Sequence, residues 1–335
     1  LLEPGIMSPL LSVRDLVKHY PTGSGGRVLA LDGISFDLDA GEILGIVGES
    51  GCGKSTLGRT IMRLDDPTSG EIIYGGRDIA TIGKRDLKQA RRDIQMVFQD
   101  PFGSLNPRHT VGTIVGEPLI VHGIANRRER IAELLDLVGL PKSAMERLPH
   151  QFSGGQRQRI AIARALAISP KIIVADEAVS ALDVSIQSQI INLLAKLRAE
   201  LGLSIIFISH DLSVVRHVSD RIGVMYFGKL VEYGPSQSIF EAPRHPYTRA
   251  LLSAVPRIPG RELAQSAVPE RIVLTGDVPN IAHRPKGCLF HPRCYWKQPD
   301  CDRTSPDLRV LEDDDFPART CACHFADDPA VTTPN

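Results

Sequence analysis

Residues 43–56 read Ile-Leu-Gly-Ile-Val-Gly-Glu-Ser-Gly-Cys-Gly-Lys-Ser-Thr, and Gly48–Ser55 within them match the phosphate-loop spacing G-x-x-x-x-G-K-[ST]. Each residue type has a physical task there. Gly48, Gly51 and Gly53 let the main chain wrap closely and aim N–H groups at phosphate oxygens. Lys54 can reach the β- and γ-phosphates, and the Ser55 hydroxyl can ligate Mg²⁺. Ser50, Cys52 and Thr56 complete the wrap, Cys52 as a small side chain whose thiol is open to alkylation if exposed. The Ile43–Val47 run has the length of a buried parallel strand, and Leu57, Ile61 and Leu64 recur afterwards at helical spacing. That context suits the motif, because a helix N-terminus adds partial positive charge. The stretch implies a nucleoside triphosphate with Mg²⁺ as its ligand.

Other polar groups stand at the ends of apolar runs. Lys171–Ala175 reads as a core strand closing on Asp176-Glu177, where a nucleotide-binding sheet keeps a Mg²⁺ ligand and a base. Ser204–Ile208 reads as another core strand, with His210 at its end. Phe152-Ser153-Gly154-Gly155-Gln156 is a second glycine-rich turn, heading a helix expected from Arg157 to Ile168, and so a second candidate phosphate site. Ser180-Ala181-Leu182-Asp183 precedes a long helix with Ile186, Ile190, Leu193, Leu194, Leu197 and Leu201 on one side, ended by Gly202. Gln99 lies in the irregular, proline-bounded run Phe98–Pro107, which reads as an exposed hinge-like loop. Tyr20, upstream of the phosphate loop, is an aromatic able to stack on a base.

The tail has a different character. Thirteen of the 24 prolines fall between Pro243 and Pro334, and periodicity fades, which places a domain boundary near Gly234-Pro235. Residues 1–235 then form the nucleotide-binding part and 236–335 a small irregular domain. Cys288, Cys294 and Cys301 are six and seven residues apart, with Cys321 and Cys323 offering a fourth thiolate. Four cysteines in a segment too aperiodic for its own core imply a metal that holds it together. Four thiolates suit structural Zn²⁺ and equally a [4Fe–4S] cluster.

The elements that must position these groups follow from pattern. Residues 10–42 alternate as antiparallel strands, Ile34, Phe36 and Leu38 facing one way, and a hairpin is expected at Gly75-Gly76. Residues 86–168 read as helices and loops, with Asn126 as N-cap of a helix whose apolar face is Ile131, Leu134, Leu135 and Val138. Recurring strand–helix alternation points to a parallel sheet covered on both faces, an α/β fold. Lys plus Arg equals Asp plus Glu at 39 each, so no basic stripe recommends nucleic acid. No apolar run approaches a membrane span and no signal peptide opens the chain, so a soluble cytosolic protein is expected. His109, His122 and His150 read as surface or satisfied groups, Arg157 and Arg159 as a solvated helix face, and Glu312 to Asp315 as a solvated acidic loop.

The phosphate loop, Gln99, Ser153–Gln156, Asp176-Glu177, Ser180–Asp183 and His210 come in the order seen in ABC-transporter ATPases, which residues 10–235 resemble almost continuously. The resemblance implies a P-loop NTPase (RecA-like) core with an antiparallel β subdomain and an α-helical subdomain at about 86–168. It implies that Tyr20 stacks on adenine, Asp176 holds Mg²⁺ through water, Glu177 polarises the attacking water, His210 contacts the γ-phosphate and Gln99 senses Mg²⁺ and water. Two such ATPases sandwich ATP head to tail, so Ser153, Gly154, Gly155, Gln156 and Asp183 would serve the site completed by the opposite subunit. Phe152 stands where the family often has Leu, and Ala178 where Pro is usual; neither removes a chemical group.

His245–Leu252 followed by the cysteines resembles the C-terminal region of dipeptide and oligopeptide importer ATPases, and Asp100–Arg108 the second, F-type ATPase of that pair. This implies an ATP-hydrolysing subunit on the cytoplasmic face of the plasma (inner) membrane. Its partners would be a second ATPase, two transmembrane permease subunits and an extracytoplasmic substrate-binding protein, with Phe102 and Leu105 facing the permease. Similar tails carry a [4Fe–4S] cluster, which assigns Cys288, Cys294, Cys301 and Cys323 as ligands ahead of Zn²⁺ and leaves Cys321 spare. The competing classes are cassettes of DNA repair or translation, and importers of nickel, glutathione or sugars. Only about a hundred residues separate phosphate loop from signature, ordinary for one helical subdomain, which disfavours the DNA-repair class.

Overall fold

The computed structural model describes residues 8–21, 26–255, 271–274, 276, 284–311 and 319–328. The run from Glu312 to Asp315 lies outside them. β1 (Leu11–Pro21) and β2 (Arg27–Leu38) pair antiparallel, with Val13 opposite Phe36. Ile34, Phe36 and Leu38 are buried together, as their period-two spacing predicts. β3 (Ile43–Val47), buried along its whole length, belongs to a second sheet and feeds α1 (Lys54–Ile61). Leu57 and Ile61 of α1 pack with side chains from both sheets, which locks the phosphate loop between two layers. β4 (Ser69–Tyr74) and β5 (Arg77–Asp78) form the expected hairpin, in which Gly75 and Gly76 both take positive φ, as a tight hairpin turn requires.

After α2 (Lys84–Asp93) and β6 (Ile94–Val97) the chain leaves the sheet for a helical layer. This holds α3 (Pro101–Ser104), α4 (Val111–Val121), α5 (Arg127–Leu137) and α6 (Gly154–Leu166). Several expectations change here. Asn126 sits in the left-handed region at φ 51° and makes no side-chain cap, so it acts as a turn residue before α5. α6 starts at Gly154, three residues before Arg157, because the Ser153 cap outweighs the poor helix propensity of two glycines. Leu105 is 2% exposed and belongs to the core, so it cannot face a partner. Arg157 and Arg159 are not a solvated face either: their guanidinium groups donate to the carbonyls of Pro149 (2.8 Å) and Val138 (2.6 Å).

β7 (Ile172–Asp176), α7 (Val184–Leu201), β8 (Ser204–Ser209), α8 (Leu212–Val218) and β9 (Arg221–Tyr226) return the chain to the sheet, where β9, β3, β8, β7 and β6 run parallel in that order. α7 buries Ile190, Leu193, Leu194 and Leu197, while Leu201 at its end is exposed, and Gly202 terminates it at φ 64°. β10 (Lys229–Pro235) turns back antiparallel on β9.

The segment after Pro235 is tied to this sheet. α9 (Ser236–Glu241) and α10 (Pro246–Ser253) pack beside β9 and β10, and of the short strands β11 (Arg309–Val310) and β12 (Thr320–Cys321), β12 pairs with β10. A fully buried carboxylate organises the junction. Glu232 accepts from Arg319 Nη2 at 3.1 Å and from the main-chain N–H groups of Arg244 at 2.7 Å and His245 at 3.0 Å. His245 in turn caps α10, its Nδ1 accepting the Tyr247 N–H at 3.1 Å. Burial lowers the His245 imidazole to about 3, so it stays neutral and able to accept. Among the described residues no helix is long and apolar enough to cross a membrane.

Candidate nucleotide site

The phosphate loop wraps the N-terminus of α1, and its glycines answer two different demands. Gly53 has φ 107°, and a Cβ there would stand 2.5 Å from the Ala30 carbonyl oxygen, so only glycine fits. Gly51 departs from the expectation of a close wrap. It is exposed, and a Cβ there would meet nothing within 4 Å among the described residues. What its position demands is the left-handed backbone, φ 80°, at the outer bend of the loop. Lys54 is 4% exposed, and its ammonium donates to the carbonyls of Gly48 (2.8 Å) and Glu49 (3.0 Å), held across the mouth of its own loop. Cys52 is buried at 6% exposure, which raises its thiol pKa and removes it from the reach of alkylating reagents. Ser50 lies on the surface, and Thr56 is half-buried in the first turn of α1.

The ends of β7 and β8 deliver the acidic and imidazole groups to this loop. Ser55 Oγ donates to Asp176 Oδ1 at 2.9 Å. Burial raises the Asp176 carboxyl, with the Ser55 hydrogen bond opposing. A hydroxyl and a carboxylate side by side are hard oxygen donors suited to Mg²⁺. The next residue, Glu177, takes φ 45°, a left-handed conformation costly for a non-glycine residue. Its N–H donates to the Ile208 carbonyl (3.0 Å), and its own carbonyl accepts from the Ser180 N–H (3.1 Å) and hydroxyl (3.0 Å). Two side chains converge on its carboxylate: Gln99 Nε2 donates to Oε2 at 2.8 Å, and His210 Nδ1 lies 3.4 Å from the same oxygen. Lys54, Ser55, Asp176, Glu177, Gln99 and His210 therefore form one site.

Three expected groups of residues stand apart from it. Tyr20 closes β1, its hydroxyl donating to Asp65 at 2.9 Å and the Lys18 ammonium 4.9 Å from its ring centroid. Ser153 and Gln156 form a reciprocal capping box on the surface, with Gln156 Oε1 accepting the Ser153 N–H at 3.0 Å. Asp183 caps α7 by accepting the Ile186 N–H at 3.0 Å, and that bond and the Ser185 hydroxyl lower its carboxyl pKa. These last two are neighbours: a Cβ on Gly155 would stand 2.3 Å from Ile186 Cγ2, and one on Gly154 would stand 3.4 Å from Leu182. The second glycine turn and the Asp183 segment thus pack side by side, with Gly155 buried against Ile186 and Ser153, Gln156 and Asp183 exposed.

A groove of about 770 Å³ opens from Ser55 and Asp176 outward past Gln99, Asp100, Glu117 and Val121 to the surface between α1 and α4. Ile120 and Val121, at the end of α4, are 60% and 53% exposed. Elsewhere, Cys288, Cys294, Cys301 and Cys323 line one cavity with His291 and Phe290, whereas Cys321 is buried separately at β12 beside Leu311. Burial raises the thiols of Cys288, Cys294 and Cys323, Cys294 to about 12 and Cys323 to about 11. Among the described residues no group of three or more His, Cys, Asp or Glu side chains is drawn together to hold a metal ion. The four thiols share a cavity without being drawn into a coordination sphere.

Sequence reading missed Glu49, Tyr247, Arg293, Glu232, Arg319 and Asp65. Only the run His245-Pro246-Tyr247-Thr248 was conspicuous; the rest act through partners 12 to 244 residues away.

A phosphate loop beside an acidic strand end, with a glutamine from the bend after β6 and a histidine just past β8, defines an ABC-type ATPase. The ABC transporter family model matches residues 31–180, and the model of the oligopeptide/dipeptide transporter C-terminal region matches residues 231–301. A dimeric ATP-binding cassette, MJ0796 bound to ADP and Pi, is similar at a TM-score of 0.61 and 34% identity, over 68% of this chain and 98% of that one. The cbiO1 cassette of Clostridium perfringens gives a TM-score of 0.60 at 29% identity, over 69% of this chain and 90% of that one. The oligopeptide transport ATP-binding protein AppF of Bacillus subtilis is 52% identical over 94% of this chain and 97% of its own length. The di/tripeptide transport ATP-binding protein DppF of Pseudomonas aeruginosa is 45% identical over 96% and 99%. The chain belongs to the family of ATP-binding subunits of oligopeptide and dipeptide ABC transporters.

Proposed function

We propose that the chain hydrolyses ATP to power import of dipeptides or oligopeptides, closing head to tail on a second, different ATPase subunit. The observation that carries this reading is the convergence of Gln99 and His210 on Glu177, one residue from the Asp176–Ser55 pair. With ATP bound, the loop of Gly48 and Ser50 to Thr56, with the Lys54 ammonium, holds the phosphates, while Ser55 and Asp176 hold Mg²⁺. Glu177 accepts a proton from the attacking water, oriented by Gln99, and His210 meets the γ-phosphate. Tyr20, fixed through Asp65, offers its ring to adenine. Ser153, Gly154, Gly155, Gln156 and Asp183 complete the ATP site of the partner ATPase, a role supported by the packing of their two segments side by side.

The groove beside α4 receives the short cytoplasmic helix of a permease, since Val121 in its lining and Ile120 next to it offer apolar contact at the surface while Gln99 links the groove to Glu177. Two permeases and an extracytoplasmic binding protein complete the importer, and the subunit works at the cytoplasmic face of the inner membrane. Cys288, Cys294, Cys301 and Cys323 hold a structural [4Fe–4S] cluster. This is supported by their one shared cavity and by the exclusion of Cys321 from it. Cysteines bind metal as thiolates, so loading of the cluster would release protons. Reconstitution with the permeases, partner ATPase and peptide-loaded binding protein tests the reading. ATP hydrolysis should rise with loaded binding protein, and peptide should accumulate only with ATP; hydrolysis indifferent to the binding protein would count against import.

A further inference from the structure

The segment after Pro235 reaches into the phosphate loop at one residue, Glu49, and holds it twice. The Tyr247 hydroxyl accepts the Glu49 main-chain N–H at 2.8 Å. Arg293 sets Nη1 and Nη2 on the two carboxylate oxygens of Glu49, at 2.7 and 2.9 Å. A two-pronged guanidinium–carboxylate pair fixes the direction of the carboxylate as well as its charge. Both holding residues are buried, Tyr247 completely and Arg293 at 7% exposure. Tyr247 is wedged against Tyr226 of β9 and Phe290, with ring centroids 4.7 and 5.4 Å away. Arg293 is the residue before Cys294, which lines the thiol cavity.

We propose that Tyr247 and Arg293 are positioning residues for the phosphate loop, through which the tail sets how tightly ATP is held. A carboxylate as the second residue of such a loop repels a polyphosphate unless a cation holds it aside, and Arg293 is that cation. The Tyr247 hydroxyl takes the Glu49 N–H, which fixes the main chain where the loop begins. The Glu49 carbonyl also accepts from Lys54, so the clamped residue helps set the direction of the lysine. Neither Tyr247 nor Arg293 touches the loop beyond Glu49 in the bonds described. The proposal rests on the nucleotide reading of the loop and adds control of that site by the tail.

The test is titration of the full-length chain with a fluorescent ATP analogue, with hydrolysis measured at saturating ATP and folding followed by circular dichroism and melting curves. Arg293→Gln should raise the dissociation constant about tenfold, within the range of coupling between sites, while kcat changes less than about threefold. Adding Glu49→Gln should bring binding back to within about threefold of wild type, because the double variant leaves no charge unpaired. A purely structural role would lower the melting temperature without rescue by Glu49→Gln. Wild-type affinity in folded Arg293→Gln, or a double variant as weak as the single one, would overturn the proposal. If Arg293→Gln does not fold, Tyr247→Phe carries the test, because it deletes one hydroxyl inside an unchanged ring packing. It should weaken binding a few-fold, and unchanged affinity would overturn the clamp. Lys54→Ala binding the analogue as tightly as wild type would instead sink the nucleotide reading itself.

Discussion

Replacing Glu177 with Gln removes a charge and almost nothing else. The side chains are isosteric, and the amide oxygen can keep the 2.8 Å bond from Gln99 Nε2. The main-chain bonds from Glu177 to Ile208 and Ser180 do not involve the side chain, so the left-handed turn survives. What disappears is the proton acceptor and the negative partner of His210, 3.4 Å away. General-base catalysis is worth about 10²–10⁴ in rate, or about 3–5 kcal/mol of barrier. Glu177→Gln should therefore turn over at about 1% of wild type or less while binding ATP normally, and it should accumulate as a closed dimer with the partner ATPase. The assay is phosphate release at saturating Mg-ATP, beside analogue binding and sedimentation of the pair. Residual hydrolysis above about a tenth of wild type, a loss below about 1.4 kcal/mol, would refute the assignment. So would a weakened affinity for ATP, since that would place Glu177 among the binding groups instead.

Glu232→Gln should cost about 3–5 kcal/mol of stability by leaving the buried Arg319 guanidinium without that charge, seen as a fall in the melting temperature of the order of 10 °C. Gly155→Ala puts a Cβ where only 2.3 Å separates it from Ile186 Cγ2; it should lower stability by about 1–3 kcal/mol and abolish ATP-dependent dimerisation in sedimentation of the Glu177→Gln background. Val121→Asp, on the groove beside α4, should keep basal hydrolysis but uncouple it from transport in the reconstituted complex, and normal transport would place the permease elsewhere. Anaerobically purified protein should be brown, with about four irons per chain and acid-labile sulfide; Cys323→Ser should lose the iron and Cys321→Ser should retain it. Colourless protein with one stoichiometric zinc would exclude the cluster and keep the four-thiolate site.

The nucleotide site was legible because its determinants are local. Gly48–Ser55 is a contiguous loop between a strand and a helix that periodicity alone defines, and Asp176, Glu177 and His210 each follow a run too apolar to be anything but a core strand. Within the loop, the spacing could not separate Gly51, open to solvent, from Gly53, pressed against the Ala30 carbonyl, because the partner that crowds Gly53 comes from another strand. Gln99 entered only through the family resemblance, because its bond to Glu177, 78 residues away, had no local signature. Leu105 failed for a related reason: in a proline-bounded run the side-chain direction has no period to follow, and the one-turn helix Pro101–Ser104 sends Leu105 inward. Asn126 failed because a residue favoured at N-caps is equally favoured in left-handed turns.

The tail marks where local reading ends. Its prolines and absent periodicity suggested a separate unit, yet what orders it is a set of long-range contacts with the sheet. Glu232 of β10 gathers Arg244, His245 and Arg319, and the rings of Tyr226, Tyr247 and Phe290 interlock. No single member of either set is unusual in sequence. A buried carboxylate in a strand is improbable until its cation, 87 residues away, is known. The same holds for Glu49, which reads as an indifferent position within the phosphate loop until Arg293 appears beside it. A segment without periodicity therefore need not be a segment without structure: the order of its described residues is borrowed from the sheet, and their contacts end on the phosphate loop.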